Sequence, residues 1–250
     1  MNVTGGIFAL KKHILEFLMT GLLLVSFLFL SKETAQTVRE KNQVFNEVSG
    51  ETLQGVILVD AGHGGSDPGM VGKNGLEEKG INLQIAMKLK AELEKRNFTV
   101  IMTRESDKGL YEENNRNQKA QDMQKRIAII REQKPLLSVS IHQNSYEDSS
   151  VYGPQVFYYQ DSAEGEKLAA AIQEKMNTGL EIARPRVAKS NKTYYLLKRS
   201  EGTLAIVECG FLTNPSEAEL LQTEEYQEKV AQTIAEGICV YLAEKSGEYS

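Results

Sequence analysis

The chain has 250 residues, enough for one domain with a substantial core and a short leader. Its apolar and charged fractions, 41% and 25%, are those of an ordinary globular protein. A net charge of −5 gives no basic footprint, so we expect no nucleic-acid partner.

The first predicted element is an uncharged apolar segment, residues 17–30, which follows Lys11 and Lys12. A positive region before an apolar run is the layout of an export signal. The run reaches the minimum of about 17 residues for a spanning helix only if Glu16 is included. The nearest candidate cleavage site, residues 33–35, has a charge where a small residue is expected. An uncleaved membrane anchor, a cleaved signal and a buried core helix all remain open, and the first two place the remaining chain outside the cytoplasm.

The chain divides into three parts. Residues 1–32 form the signal or membrane anchor, and residues 33–54 are polar, lack a sustained apolar period and are predicted to be a linker. Residues 55–250 show no internal repeat and no appended wall-binding module, so we predict one domain there.

Within that domain, apolar runs of strand length alternate with helical patterns. The predicted strands are Val56–Asp60, Thr99–Thr103, Leu136–Ile141, Gln155–Tyr159, Tyr194–Leu197 and Thr203–Val207. The apolar stripes of the predicted helices run from Ile81 to Leu93, from Leu168 to Met176 and from Val230 to Leu242. This order predicts an α/β fold: a single domain with a largely parallel six-stranded sheet flanked by helices, preceded by an N-terminal apolar helix.

Histidines follow two of these strands. Apart from His13 in the leader, the chain has only His63, after VILVDAG, and His142, after LLSVSI. Carboxyl ends of parallel strands meet at the ligand-binding edge of a sheet, so the two side chains are candidates to meet. A lone histidine at a strand end is more often simply hydrogen-bonded, but two at equivalent ends favour a metal site. The glycines around His63 would let the backbone turn tightly beside a ligand.

Carboxylates are available at the same edge. Catalytic zinc is often bound by two histidines and one glutamate, and Glu77 and Glu78 begin the helix that follows the glycine-rich loop. Acidic residues also occur in a first helical turn simply to offset the helix dipole. The spacing alone does not choose between these two glutamates.

Glu208 ends the strand Thr203–Val207 and is the candidate general base. A buried charge without a partner is costly, so a carboxylate in this position indicates a function. Neighbouring strand residues point to opposite faces, so Cys209 is predicted to face away from the site. We expect Cys209 and Cys239, the two cysteines of the chain, to be buried free thiols.

Three segments carry a family resemblance: VDAGHGGSDPGMVGKNGLEEKGINL, SVSIHQN and VECGFLTNPSE. They resemble the signature segments of the zinc-dependent N-acetylmuramoyl-L-alanine amidases, and the resemblance runs from about Val56 to Leu242. It implies that His63, Glu78 and His142 bind Zn²⁺ and that Glu208 is catalytic. The implied reaction is hydrolysis of the amide between the lactyl group of N-acetylmuramic acid and L-alanine in peptidoglycan.

Softer matches refine this expectation. TRESDK at 103–108 and AQDMQKRIAII resemble the germination-specific amidases of spore-forming bacteria, which are associated with muramic-δ-lactam in spore cortex. Gly80 stands where the family usually has Asp, which bears on the surroundings of Glu78. Asn144 and Arg126 are candidate substrate contacts. Besides peptidoglycan, the expected partners are the membrane, through the N-terminal segment, and an unidentified regulatory protein.

Two other functions fit parts of the pattern. A zinc exopeptidase of related α/β architecture would instead attack peptide termini, although the ECGFLTN segment favours the amidase. A non-catalytic wall-binding protein would be expected to have lost part of the ligand set, whereas all four positions are filled.

Overall fold

The computed structural model of the protein describes residues 55–72 and 75–247. The predicted N-terminal helix and linker therefore lie outside the described residues. Among the residues that are described, no helix has the length and apolar character needed to cross a membrane.

The secondary structure alternates strands and helices along the chain. The strands are β1 (Val56–Ala61), β2 (Thr99–Met102), β3 (Leu137–Asn144), β4 (Gln155–Tyr159), β5 (Lys189–Asn191) and β6 (Leu204–Phe211). The helices are α1 (Glu78–Glu94), α2 (Gln118–Gln133), α3 (Ala163–Gly179), α4 (Tyr195–Arg199), α5 (Pro215–Leu220) and α6 (Glu224–Ser246).

The described strands form one six-stranded sheet in the order β2-β1-β3-β6-β4-β5. The neighbouring strands pair in parallel except β4 and β6, which are antiparallel. The expected α/β domain with a largely parallel six-stranded sheet is therefore confirmed.

Helices cover both faces of the sheet. Helix α6 packs against both α1 and α3, and the predicted apolar stripes of all three helices are buried. On the opposite face, α2 and α4 pack over a cluster that includes Leu58, Ile130 and Ile206. Each fully buried side chain of this size contributes about 1.5–3 kcal/mol to folding.

One predicted strand is wrong. Residues 194–197 do not form a strand, because Tyr195–Arg199 is a single short helix that buries Leu196 and Leu197 against the sheet. The strand that completes the six-stranded sheet is instead β5, Lys189–Asn191, which pairs with β4 at the edge of the sheet through its backbone. A short apolar run can bury itself as one helical turn as well as a strand, so periodicity alone does not decide between the two.

Candidate active site

The predicted residues gather at one edge of the sheet. His63 lies just beyond the end of β1, and His142 and Glu208 are directly paired in the register of β3 and β6. Glu78 is the first residue of α1 and reaches the same edge. The topology thus brings together four residues that are spread over almost 150 positions of sequence.

Glu78 lies between the two histidines. Its Oε2 is 3.2 Å from His63 Nε2, and its Oε1 is 3.0 Å from His142 Nδ1. One ligand atom from each of the three residues lies within 4.8 Å of the others, close enough to hold one metal ion. Glu77, in contrast, is exposed and pairs with Lys79. The structure therefore brings Glu78, and not Glu77, to the two histidines.

Polar neighbours fix Glu78 in this place. The backbone N–H of Met70 donates to Oε2, and both the N–H of Gln143 and the side-chain amide of Asn82 donate to Oε1. Gly80, the departure from the family pattern, has open space around it and does not contact Glu78. The surroundings of the carboxylate are thus complete without an aspartate at position 80.

His63 is held by a carboxylate on its other side. Its Nδ1 lies 2.9 Å from Asp67 Oδ2, which leaves Nε2 to face Glu78. Metal-binding histidines commonly present one nitrogen to the ion and the other to a carboxylate, which sets the tautomer. Asp67, four residues after His63, is the carboxylate that orients this imidazole. No motif in the sequence analysis indicated this role.

The electrostatics of the cluster favour positive charge. Burial lowers the pKa of His63, but hydrogen bonds to Asp67 and Glu78 outweigh it and raise that pKa to about 9. Burial opposes ionisation of Glu78, yet the hydrogen bonds from His142 and His63 hold its pKa far below the usual range. A site that retains an ionised carboxylate and attracts cations suits a divalent metal. The donor set of two imidazoles and one carboxylate is one that catalytic zinc uses, so the residues fit the ion.

The loop between β1 and α1 is shaped by close approaches. His63 itself has a left-handed backbone with φ of 61°, which costs a non-glycine residue about 1–2 kcal/mol. A Cβ on Gly62 would come within 2.3 Å of the His142 ring. A Cβ on Gly69 would lie 2.5 Å from Glu78 Oε2. Both glycines are therefore required by the packing of the ligands.

Two arginines hold the carbonyl groups of this loop. Arg126 donates to the carbonyls of Ala61 and His63, and Arg104 donates to those of Ala61 and Gly62. Arg104 belongs to the TRESDK segment, which therefore braces the histidine loop from behind. Apolar periodicity does not reveal the role of Arg104, because a buried arginine bound to carbonyls leaves no periodic signal in the sequence.

The two predicted substrate contacts have internal partners. Arg126 is buried and also forms ion pairs with Asp60 and Asp122, so its contacts are those of a structural residue. The side chain of Asn144 accepts a hydrogen bond from the backbone of Ser145. These contacts lend no support to a substrate-binding part for either residue, and that part stays a prediction.

Glu208 is buried beside the cluster and faces the cavity. Burial and the nearby Glu78 charge outweigh the histidines and raise its pKa to about 7. Its Oε2 is sealed from solvent and has no hydrogen-bond partner among the residues described. Cys209, the next residue of β6, is not among the residues that line the cavity, and both cysteines are buried free thiols, as predicted.

A cavity of about 280 Å³ opens over these residues. His63, Glu78, His142 and Glu208 lie in its lining. One wall comes from the start of α2, with Lys119 and Met123, and the opposite wall is formed by Tyr194, Tyr195 and Leu196 at α4. The cavity therefore combines a polar floor with partly apolar sides, as small-molecule sites usually do.

The chain is similar in sequence to known proteins. Residues 57–240 match the N-acetylmuramoyl-L-alanine amidase family. The germination-specific N-acetylmuramoyl-L-alanine amidase of Bacillus subtilis is 40% identical over 193 residues, which cover 76% of this chain and 81% of that protein. The amidase LytC of the same species is 33% identical over 219 residues, which cover 86% of this chain but only 40% of LytC.

A solved structure gives the same result for the fold. The CwlD amidase from Clostridioides difficile, determined in complex with the GerS lipoprotein, superposes with a TM-score of 0.74 at 39% identity, covering 76% of this chain and 99% of that chain. With the family match spanning most of the described residues, the chain belongs to the N-acetylmuramoyl-L-alanine amidase family and is an amidase of peptidoglycan.

Proposed function

We propose that the protein is a zinc-dependent amidase that hydrolyses the bond between the lactyl group of N-acetylmuramic acid and L-alanine. One observation carries the proposal. A carboxylate, Glu208, is buried with an unpartnered oxygen directly beside two histidines and a glutamate that can share one metal ion. An unsatisfied buried carboxylate is destabilising, so its retention at this place is best explained by catalysis.

His63, Glu78 and His142 would hold the zinc. The ion would supply Lewis-acid chemistry, polarising the amide carbonyl and making water more acidic. Asp67 orients the imidazole of His63, and the backbone N–H groups of Met70 and Gln143 orient the carboxylate of Glu78. These contacts keep the ligand atoms in place before substrate arrives.

Glu208 would act first as base and then as acid. Its carboxyl group is buried beside the residues that would hold the ion, paired in register with His142, so it is placed to accept a proton from the attacking water. It would return that proton to the L-alanine nitrogen as the amide bond breaks. The peptide would leave with a free amine, and the muramic acid would keep a free lactyl carboxylate.

The proposed natural substrate is spore-cortex peptidoglycan, with formation of muramic-δ-lactam as the consequence of cleavage. Its main support is the 40% identity to a germination-specific amidase. The TRESDK match adds less, since Arg104 of that segment contacts the histidine loop and not the cavity. The test is deletion of the gene in a spore former, which should leave the cortex without muramic-δ-lactam.

We further propose an extracytoplasmic location, reached through the N-terminal segment as an anchor or signal. The solved relative was determined with a lipoprotein, so a partner of that kind is a candidate here as well. Fractionation of the parent cell should find the protein with membranes or outside them. A purely cytosolic pool would contradict this part of the proposal.

Product analysis tests the reaction itself. The purified protein with zinc is incubated with peptidoglycan, and the released fragments are identified by mass spectrometry. Intact stem peptides with a free L-alanine amine are expected. Peptides shortened at their ends would indicate an exopeptidase, and unchanged peptidoglycan that nevertheless retains the protein would indicate a wall-binding function.

A further inference from the structure

Positive charge is concentrated in one segment of this acidic protein. The chain carries a net charge of −5, yet residues 182–200 contain six cationic side chains and no acidic one. These cations are Arg184, Arg186, Lys189, Lys192, Lys198 and Arg199. The segment spans the edge strand β5 and helix α4. We call residues 184–199 the basic segment.

These cations are not neutralised internally. In the part of the chain that the structure describes, none of the six forms an ion pair with a carboxylate, and all but Arg186 are exposed. Arg186 turns inward, donating to the carbonyl of Tyr152 and lying over the Phe211 ring. Elsewhere, Lys79 and Lys167 each lie 2.9 Å from a carboxylate oxygen. The cations of the basic segment other than Arg186 are thus available to a ligand.

The basic segment leads into the active-site cavity. Tyr194, Tyr195 and Leu196 form one wall of that cavity. The guanidinium carbon of Arg199 lies 5.8 Å from the centre of the Tyr195 ring, one helical turn away, so this cation stands beside the rim. Buried Leu196 and Leu197 anchor the helix to the sheet, which keeps the rim in a fixed position.

The opposite rim offers less free charge. Lys119 is exposed there, but its Nζ is 3.7 Å from Asp67 Oδ2, the carboxylate that also holds His63. Among the exposed cations around the cavity, those at α4 are therefore the ones best placed to attract an anionic group of a substrate.

We propose that Tyr195 and Arg199, supported by Lys198 and the rest of the basic segment, form a subsite that binds free carboxylates of the peptide stem. This inference rests on the proposed function, since it places the peptide stem of the substrate against the cavity wall formed by α4. The glycan chain is largely uncharged apart from its peptides, whereas the stem carries carboxylates in its acidic residues and at its end. Charge complementarity therefore selects the stem as the occupant.

The expected effect is moderate and depends on salt. Exposed ion pairs change binding by only a few-fold each, and screening acts over about 8 Å at physiological ionic strength. Two or more cations acting on one acidic stem should favour an acidic substrate over its neutral analogue by about fivefold to tenfold in kcat/KM. The difference should lie in KM and should shrink as salt rises from about 0.05 to 0.5 M.

The experiment uses the purified full-length chain with zinc and two muropeptides of equal length. In one, the stem carboxylates are free, and in the other they are converted to carboxamides. The test variant is Lys198→Gln with Arg199→Gln. The matched control is Arg131→Gln with Lys134→Gln, which removes the same charge from exposed positions at the far end of α2, about 18 Å along that helix from Lys119.

The wild type and the control should prefer the acidic muropeptide, and the test variant should lose that preference through a higher KM. Equal cleavage of both muropeptides by the wild type would overturn the subsite, as would an unchanged preference in the test variant. Both results would leave the amidase reaction standing. Failure of the wild type to cut either muropeptide would overturn the proposed function and the subsite together.

Discussion

The buried Arg126 offers the sharpest test of how the histidine loop is held, through the substitution Arg126→Met. The arginine side chain is 2% exposed and pairs with Asp60, whose side chain is 1% exposed. It also donates to Asp122 and to the carbonyls of Ala61 and His63. Methionine fills similar space without charge or donors, so it removes these bonds while keeping the packing.

The expected loss in the free energy of unfolding follows from the buried polar groups that Arg126→Met leaves without a partner. Asp60 would keep the hydroxyl donors of Thr103 and Ser140 but lose its cation. Removing one partner of a buried ion pair typically costs about 3–5 kcal/mol. The carbonyl of Ala61 keeps its hydrogen bond from Arg104, whereas that of His63 loses the one from Arg126, which adds about 1–3 kcal/mol if it stays dry. The two costs belong to one network and do not simply add. We therefore expect the free energy of unfolding to fall by about 4 kcal/mol.

Urea unfolding followed by circular dichroism measures this loss. Arg131→Met is the matched control, because Arg131 is an exposed residue in the last turn of the same helix. The control should lose less than about 0.5 kcal/mol, in line with exposed substitutions. Zinc affinity of the folded Arg126→Met protein should also fall, since His63 is no longer held through its carbonyl.

A loss below about 1.5 kcal/mol, or one equal to that of the control, would refute this reasoning. It would mean that water or a rearranged side chain satisfies Asp60 and the loop carbonyls. If the free energy of unfolding falls as expected but the folded protein binds zinc with unchanged affinity, the effect on stability is separate from the effect on the metal site. The network would then support the fold without positioning the ligand.

Four further predictions test other features. Glu78→Ala should lose zinc measured by atomic absorption, whereas Glu77→Ala should retain it; the reverse would reassign the ligand. Glu208→Gln should lower hydrolysis by about a hundredfold or more with zinc still bound, and retained activity would place the base elsewhere. Deleting residues 1–50 should give a soluble domain with a cooperative unfolding transition, because the sheet begins at β1; an unfolded product would contradict this. The pKa of Asp60 is held at about 2, below its ordinary 3.8, because Arg126 and two hydroxyl donors outweigh burial. The contribution of ionised Asp60 to stability is therefore present above about pH 4 and is lost as the pH falls towards 2. Asp60→Asn should flatten that acid limb of the urea midpoint.

The sequence predicted the parts of the fold that follow apolar periodicity. Strands β1 and β6 begin with continuous apolar runs, β3 alternates apolar residues with buried serines, and the apolar stripes of α1, α3 and α6 are buried. Helix α2 gives no such stripe, because Asp122 and Arg126 occupy its inward face beside Ile130. Strand β5, of sequence Lys-Ser-Asn, is likewise invisible to periodicity, since backbone pairing at the sheet edge forms it.

The metal-binding and catalytic residues were more predictable from the sequence than the residues that hold them in position. Histidines at two strand ends and a carboxylate at a third converge simply because the strands are neighbours. The choice between Glu77 and Glu78 needed the resemblance, since both begin the same helix. Asp67, Asn82 and Arg104 act through hydrogen bonds to metal-ligand side chains or to loop carbonyls, and such contacts depend on the three-dimensional course of the loop. No sequence period reports them.

The left-handed backbone of His63 has a consequence for metal exchange. Arg126 binds the carbonyl of His63, Arg104 binds the carbonyls of the two residues before it, and Asp67 binds its imidazole, so protein contacts hold this conformation. In a zinc finger, by contrast, the ion creates the site as the chain folds around it. Here the ion would enter a framework that is already rigid, so little ordering would accompany binding. A chelator should therefore strip the metal without unfolding the domain, and metal ions of similar preference could replace one another within the folded state.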